Sequence, residues 1–416
     1  MKIGPPLLLS IAFLLSASAQ QPQYIGAGGC ASSNCHGATS PAPESQSRIL
    51  GNEYSLWSVR DKHSQAYTVL TNDRSKRMAQ ILGLGAPESA QRCLDCHAVG
   101  STEKFRSDGV ACEACHGPAE KWLGPHTAAD SSHANNVSLG MYDTKDLKLR
   151  TQKCLSCHIG DGTKQVDHEL IAAGHPDLVF ELDTFSAALP MHWREPKPEP
   201  GNSSPRLRAL AVGQAMALAD GMRQLAAHTK SGWPEFAEFE CYQCHHDLRR
   251  ESWRIQRGYA GRKPGGLLIN VSRFVIVGLI ASQAGGDQGL DGSFSNLVSV
   301  ASSQLTNGAA IASAANQIAQ QADALAARFA SHDFNSASAA SIAGRLEADI
   351  DRIAGYGVGS AEQATMAIDA IAAAFPGNLP AVQQNIQKLY DYLEHPSTYR
   401  PAEFAAQFKA VASQLH

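Results

Sequence analysis

The chain has 416 residues, enough for two or three domains. Its formal net charge is −4, from 35 Lys and Arg against 39 Asp and Glu, which argues against a nucleic-acid partner. Ten cysteines and 16 histidines are the informative part of the composition, because their spacing is regular.

The N-terminus carries Lys2, an apolar run from Leu7 to Leu15 and then Ala17-Ser18-Ala19. A charged start, a short apolar core and an A-x-A site predict a signal peptide over 1–19 and an exported mature chain, in the periplasm or at the cell surface. A membrane anchor would need a longer run, and Pro5 and Pro6 precede this one. The first cysteine, Cys30, lies well past the cleavage site, which argues against lipoprotein attachment.

An exported chain with ten cysteines would ordinarily suggest disulfides. Here Cys93/Cys96, Cys112/Cys115, Cys154/Cys157 and Cys241/Cys244 each form C-x-x-C, followed directly by His97, His116, His158 and His245. Neither a disulfide framework nor a zinc site explains a histidine after every second cysteine. Cys-x-x-Cys-His is the attachment signature of c-type haem: two thiols form thioethers, and the histidine supplies an axial nitrogen to iron. Cys30 and Cys35 enclose four residues before His36, a stretched version of the same motif. A local disulfide is the alternative there. With it read as haem, the count is five covalently bound haem c.

Between the motifs the expected elements are mostly helical. Residues 52–70 read as one helix bearing Leu56, Val59 and His63, and 73–82 as a second. Fourteen residues separate His97 from Cys112, with Gly100 and Gly109 as punctuation, and a loop folding back there would set two haems side by side. Trp122 is a candidate to pack on a porphyrin edge. Asp167 to Ala173 predicts a helix carrying His168, stopped at Gly174 before His175. A Pro-rich linker spans 195–205, and 207–228 predicts an amphipathic helix leading to the fifth motif.

Beyond Gly261 there is no cysteine. Residues 267–280 are apolar but interrupted by Arg273 and Gly278, so a buried helix is expected rather than a membrane span. Apolar spacing predicts helices through Ile311 to Phe329, Ile342 to Ile353 and Val382 to Leu393. The expected fold is mainly α: a multihaem cytochrome c domain over 20–262 with a haem-stacked core and little β, then an Ala-rich helical bundle over 263–416. That bundle would cover haem edges or serve docking.

The second axial position decides between carrier and catalyst. Outside the motifs, His63, His126, His133, His168, His175, His192, His228 and His246 are candidates for five places.

The stretches GCASSNCH, RDKHSQAY, GVACEACHGPAEKWLGPH and KCLSCHIG resemble the multihaem cytochromes related to the tetrahaem electron acceptor of hydroxylamine oxidoreductase. DHELIAAGHPDLVFEL, MHW and WPEFAEFECYQCHHDL resemble a longer branch of that group, so the likeness spans about 24–262. It implies a helical fold around closely stacked haem pairs, with His126 opposite His36, His63 opposite His116, and His168, His175 and His192 serving the remaining haems. One haem of the tetrahaem relative lacks a distal ligand, which makes the haem at His97 the place for an open iron. The chain departs from the pattern in its fifth motif and stretched first motif. The expected function is an exported pentahaem carrier of single electrons, mostly bis-histidine, working with redox partner proteins. Its rivals are an oxidoreductase acting on a nitrogen oxide or peroxide at one open haem, and a conductive filament with the bundle as subunit contact.

Overall fold

The structure, a computed structural model, describes residues 22–45, 49–100, 103–194, 204–245, 249–250, 266–287, 289–375 and 380–415. The expected signal peptide, most of the linker 195–205, His246 and the expected boundary at 262/263 lie outside them. The described residues form helices joined by turns; only two isolated bridges, Gly160 with Gln165 and Phe239 with Ile269, pair extended backbone. A mainly α fold is therefore what this sequence adopts. No described helix is long and apolar enough to cross a membrane.

The N-terminal half is built from short helices. They are α1 (Glu53–Arg60), α2 (Asp73–Leu82), α3 (Gln91–His97), α4 (Cys112–His116), α5 (Leu123–His126), α6 (His133–Ser138), α7 (Leu147–His158), α8 (His168–Ala173) and α9 (Leu182–Ala188). Large apolar side chains are sparse here, and the buried clusters are small: Leu155, Ile159, Phe180 and Leu182 in one, Ala27, Val99 and Ala111 in another. The single helix expected over 52–70 is broken. Asp61 adopts an extended conformation, and its side chain accepts from the His63 amide, so the chain restarts as a 3-10 turn over Lys62–Gln65. This break matters for function, because it decides where His63 points.

The second half is a bundle with one large core. Its helices are α10 (Pro205–His228), α11 (Val277–Ala281), α12 (Leu290–Ser303), α13 (Gly308–Ser331), α14 (Ser336–Tyr356), α15 (Val358–Ala372), α16 (Pro380–Leu393) and α17 (Pro401–Ala412). α10 starts at a Ser204 cap with Pro205 in its first turn and packs most extensively on α13. Its Leu207, Leu210, Leu218 and Leu225 lie in the same core as Ile311, Leu346, Ile368 and Phe404. As a packing unit the bundle thus begins at α10, and the fifth motif lies on the loop between α10 and the later helices. Residues 267–280 are largely buried as expected, although only Val277–Ala281 is helical. α10 also touches α7 and α9, which joins the bundle to the motif-bearing half.

Candidate haem sites

Three motifs close a helix. In α3, α4 and α7 the sequence C-x-x-C-H forms the last turn, and the i, i+3, i+4 spacing turns both thiols and the imidazole toward one side. The fifth motif reaches the same end with a 3-10 turn, Cys241–Gln243, and a His245 amide bonded to the Cys241 carbonyl at 2.9 Å. In the first, the four intervening residues form a turn closed by Cys35 N on Ser32 O at 2.9 Å, which returns Cys35 toward the 3-10 turn Ala27–Cys30. All ten cysteines are free thiols, Cys30 and Cys35 among them.

The motif histidines meet other histidines in pairs. Ring centroids are 6.2 Å apart for His36 and His126, 6.4 Å for His97 and His175, 6.3 Å for His63 and His158, and 6.3 Å for His168 and His245. Two imidazoles binding one metal from opposite sides, each at about 2.0–2.1 Å with about 1.1 Å from nitrogen to ring centre, would have centroids about 6.3 Å apart. The separations fit one iron between each pair. Among the described residues no three or more His, Cys, Asp or Glu converge as a bare ion would require. Pairs suit haem, whose ring fills the other four positions. The remaining motif histidine, His116 of the third motif, is half-buried, and its pKa falls to about 4 through desolvation and then the nearby charges of His192 and His36. His158 likewise falls to about 4 through burial and then His63. Both imidazoles are neutral at pH 7, the form that binds metal.

Hydrogen bonding separates the remaining candidates. His36, His63, His97, His126, His175 and His192 engage acceptors through Nδ1: Glu53 Oε2 at 3.0 Å, Asp61 Oδ1 at 3.0 Å, Ala66 O at 2.7 Å, Leu123 O at 2.6 Å, Pro176 O at 2.8 Å and Pro190 O at 3.2 Å. Nε2 is thereby the nitrogen left to bind a metal. His133 instead commits Nε2, to Asp143 Oδ1 at 2.8 Å, and His228 commits both nitrogens, Nδ1 to Glu238 Oε1 at 2.7 Å and Nε2 to Gln165 Oε1 at 2.8 Å. Those two serve the protein scaffold.

The pairing corrects one expectation. His63 faces His158 at the end of α7, not His116, because the turn set by Asp61 aims it there. The His63 carbonyl accepts from Val110 N at 3.0 Å, and Gly109 (φ +66°) allows this approach: a Cβ there would sit 2.8 Å from that oxygen. The loop after His97 thus ends against the His63 turn. His97 faces His175, so the site expected to be open has an imidazole opposite it.

Contacts among the thiols order the sites. Cys30 lies close enough to Cys112, and Cys96 to Cys157, for each thiol pair to share a proton, and Cys115 lies within electrostatic reach of Cys154. Lys164 Nζ, 3.2 Å from Cys157 Sγ, helps hold that thiol's pKa down, after the proton it shares with Cys96. Glu113, inside the third motif and buried, accepts from Ile25, Gly26 and Ala119 amides at 2.7–3.0 Å, fastening the segment before Cys30 to α4. α8 carries His168 at its start and is followed by His175, so one short helix places a histidine beside His245 and another beside His97.

The sequence reading missed several lining residues. A cleft of about 610 Å³, lined in part by Leu50, Leu56, Arg60, Met191, Trp193 and Arg194, lies among the chain segments that bear His36 and His192. Such a volume falls in the range of cofactor pockets, about 300–1,000 Å³. Trp122 packs edge-on against His126 at 5.5 Å, and its buried indole N–H has no partner, as beside a group that supplies an acceptor. The MHW triplet was the available signal for Trp193.

Near the fifth motif, burial and then the charges of Asp177 and Glu240 push Glu362 up to about 7. A carboxyl raised in the folded state contributes most below the unfolded pKa, about 4.5, and loses that contribution as pH rises through 7. Glu362→Gln is therefore expected to leave stability nearly unchanged at pH 4.5 and to raise it by about 2–3 kcal/mol at pH 8, measured by thermal unfolding at both. Equal effects at the two pH values would refute this assignment.

Residues 30–117 match the family model described as cytochrome c554 and c-prime. No curated protein and no solved structure matches the chain. The matched segment runs from the first motif through the third and includes His63. The match spans 88 of the 416 residues, so it shows this motif-bearing segment to be similar to a c-type cytochrome.

Proposed function

We propose that the chain is an exported pentahaem cytochrome that passes single electrons between redox partner proteins through bis-histidine sites. The observation that carries this reading is the 6.2–6.4 Å separation of four motif histidines from a second histidine. The fifth pair, His116 with His192, is supported by their electrostatic proximity. The ligands assigned are therefore His36 with His126, His97 with His175, His116 with His192, His158 with His63 and His245 with His168. The thioether positions are Cys30, Cys35, Cys93, Cys96, Cys112, Cys115, Cys154, Cys157, Cys241 and Cys244.

Haem c bound at each site supplies a one-electron centre whose potential the axial ligands and their surroundings tune. The chain's own contribution is order and rigidity. The proximities of Cys30 to Cys112, Cys115 to Cys154 and Cys96 to Cys157, with α8 joining the second and fifth sites, favour the sequence first, third, fourth, second, fifth. Export to the periplasm agrees with thioether chemistry outside the cytoplasm and with the N-terminal pattern of charge, apolar run and A-x-A. The cytochrome and bundle segments, 20–262 and 263–416, would act as one body through the shared core of α10.

Ferrous protein exposed to carbon monoxide tests the reading. An all-bis-histidine carrier should keep its spectrum within a few per cent and give no high-spin ferric signal by electron paramagnetic resonance. Carbon monoxide uptake near one equivalent per chain would favour the oxidoreductase rival, and uptake at most sites would overturn the proposal.

A further inference from the structure

The imidazoles assigned as ligands differ in what their Nδ1 atoms touch, and His36 and His63 touch a carboxylate. Glu53 Oε2 lies 3.0 Å from His36 Nδ1, while its Oε1 accepts from Leu50 and Gly51 amides at 2.9 and 3.1 Å. Asp61 Oδ1 lies 3.0 Å from His63 Nδ1 and accepts from the His63 amide at 2.9 Å. The two carboxylate side chains are only 16% and 8% exposed, so water screens them weakly. At the second site the pattern is different: His97 and His175 both engage backbone carbonyls, of Ala66 and Pro176. His126 does the same with Leu123.

A buried carboxylate holding the Nδ1 proton pulls it away from the ring and raises electron density at Nε2. The stronger donor favours the ferric over the ferrous state, so it lowers a midpoint potential. A carbonyl does this less, having no net charge. We propose that Glu53 and Asp61 are potential-setting residues that hold the sites of Cys30/Cys35 and Cys154/Cys157 below the carbonyl-bonded site of Cys93/Cys96. The claim rests on the ligand assignments above. Both residues are positioning residues that act through His36 and His63.

Glu53→Gln and Asp61→Asn keep the size of each side chain and an oxygen for the backbone amides while removing the charge. Potentiometric titration of the full-length, haem-loaded protein, followed by visible absorption, should show one midpoint moving upward in each variant. The two variants should move different midpoints, and the remaining potentials should stay in place. Glu120→Gln, which removes a carboxylate bonded to the exposed amide of Gln23, should move none. Unchanged potentials in both variants, with all sites still low-spin, would overturn the proposal and leave the ligation reading standing. Loss of the haem itself in both variants would also overturn it, by making the carboxylates structural. Failure of the ligation reading has its own signature: carbon monoxide binding at the first or fourth site of the unaltered protein.

Discussion

Replacing His175 with glycine is expected to open one iron site and only one. His175 sits 6.4 Å from His97, half-buried, its Nδ1 held by Pro176 O at 2.8 Å. It follows α8, which is stopped by Gly174 in a left-handed conformation (φ +118°), so the truncation falls outside the helix and should leave its hydrogen bonds intact. With the imidazole gone, the site at Cys93/Cys96 keeps its thioethers and His97 but loses its distal ligand. The ferrous variant should then bind carbon monoxide at about one equivalent per chain, a gain from near zero, and its ferric form should acquire a high-spin signal. Added imidazole should restore the low-spin spectrum by occupying the gap. A variant spectrally identical to the unaltered protein would mean that His175 is no ligand.

The second large effect is on stability. Glu113 occupies a variable position of the third motif, yet it is 3% exposed and its carboxylate satisfies the amides of Ile25, Gly26 and Ala119. Glu113→Ala leaves three backbone donors without that acceptor. At about 1–3 kcal/mol for each buried unsatisfied group, the loss should be on the order of 3–5 kcal/mol, large against the few small apolar clusters nearby. Glu113→Gln should fall between, because its single oxygen keeps part of the set. Denaturant unfolding measures both. A change below about 1 kcal/mol for the alanine variant would show that the amides find water instead.

The five motifs and their cysteines are readable by eye, since thioether and axial chemistry require residues adjacent in sequence. The distal histidines were readable as a set, and their count narrows once Nδ1 and Nε2 are distinguished. Their partners were not readable. His63 pairs with His158 because Asp61 interrupts a helix whose periodicity looked continuous, and a cap of that kind competes with helix locally. α15 left no amphipathic stripe because it is buried nearly all round, including Ser360, Gln363 and Thr365. Gln363 there bonds Gln214 of α10 at 2.6 Å and the Phe180 carbonyl at 3.2 Å, tying the bundle to the segment beside His158. By contrast α13, α14 and α16 expose one polar face each, and the spacing of their apolar residues found them.

α8 has a mechanical consequence. Asp167 caps its N-terminus and also binds Arg92 of α3 at 2.5 Å, while Arg74 of α2 binds the Gly174 carbonyl at its other end at 3.1 Å. The six-residue helix is pinned at both ends like a short strut, and on the ligation proposed above the histidine at its start and the one just beyond its end would answer to different irons. A displacement of one ligand would then tilt the other, so the two centres would share a single stiffness and neither would relax alone when its charge changes.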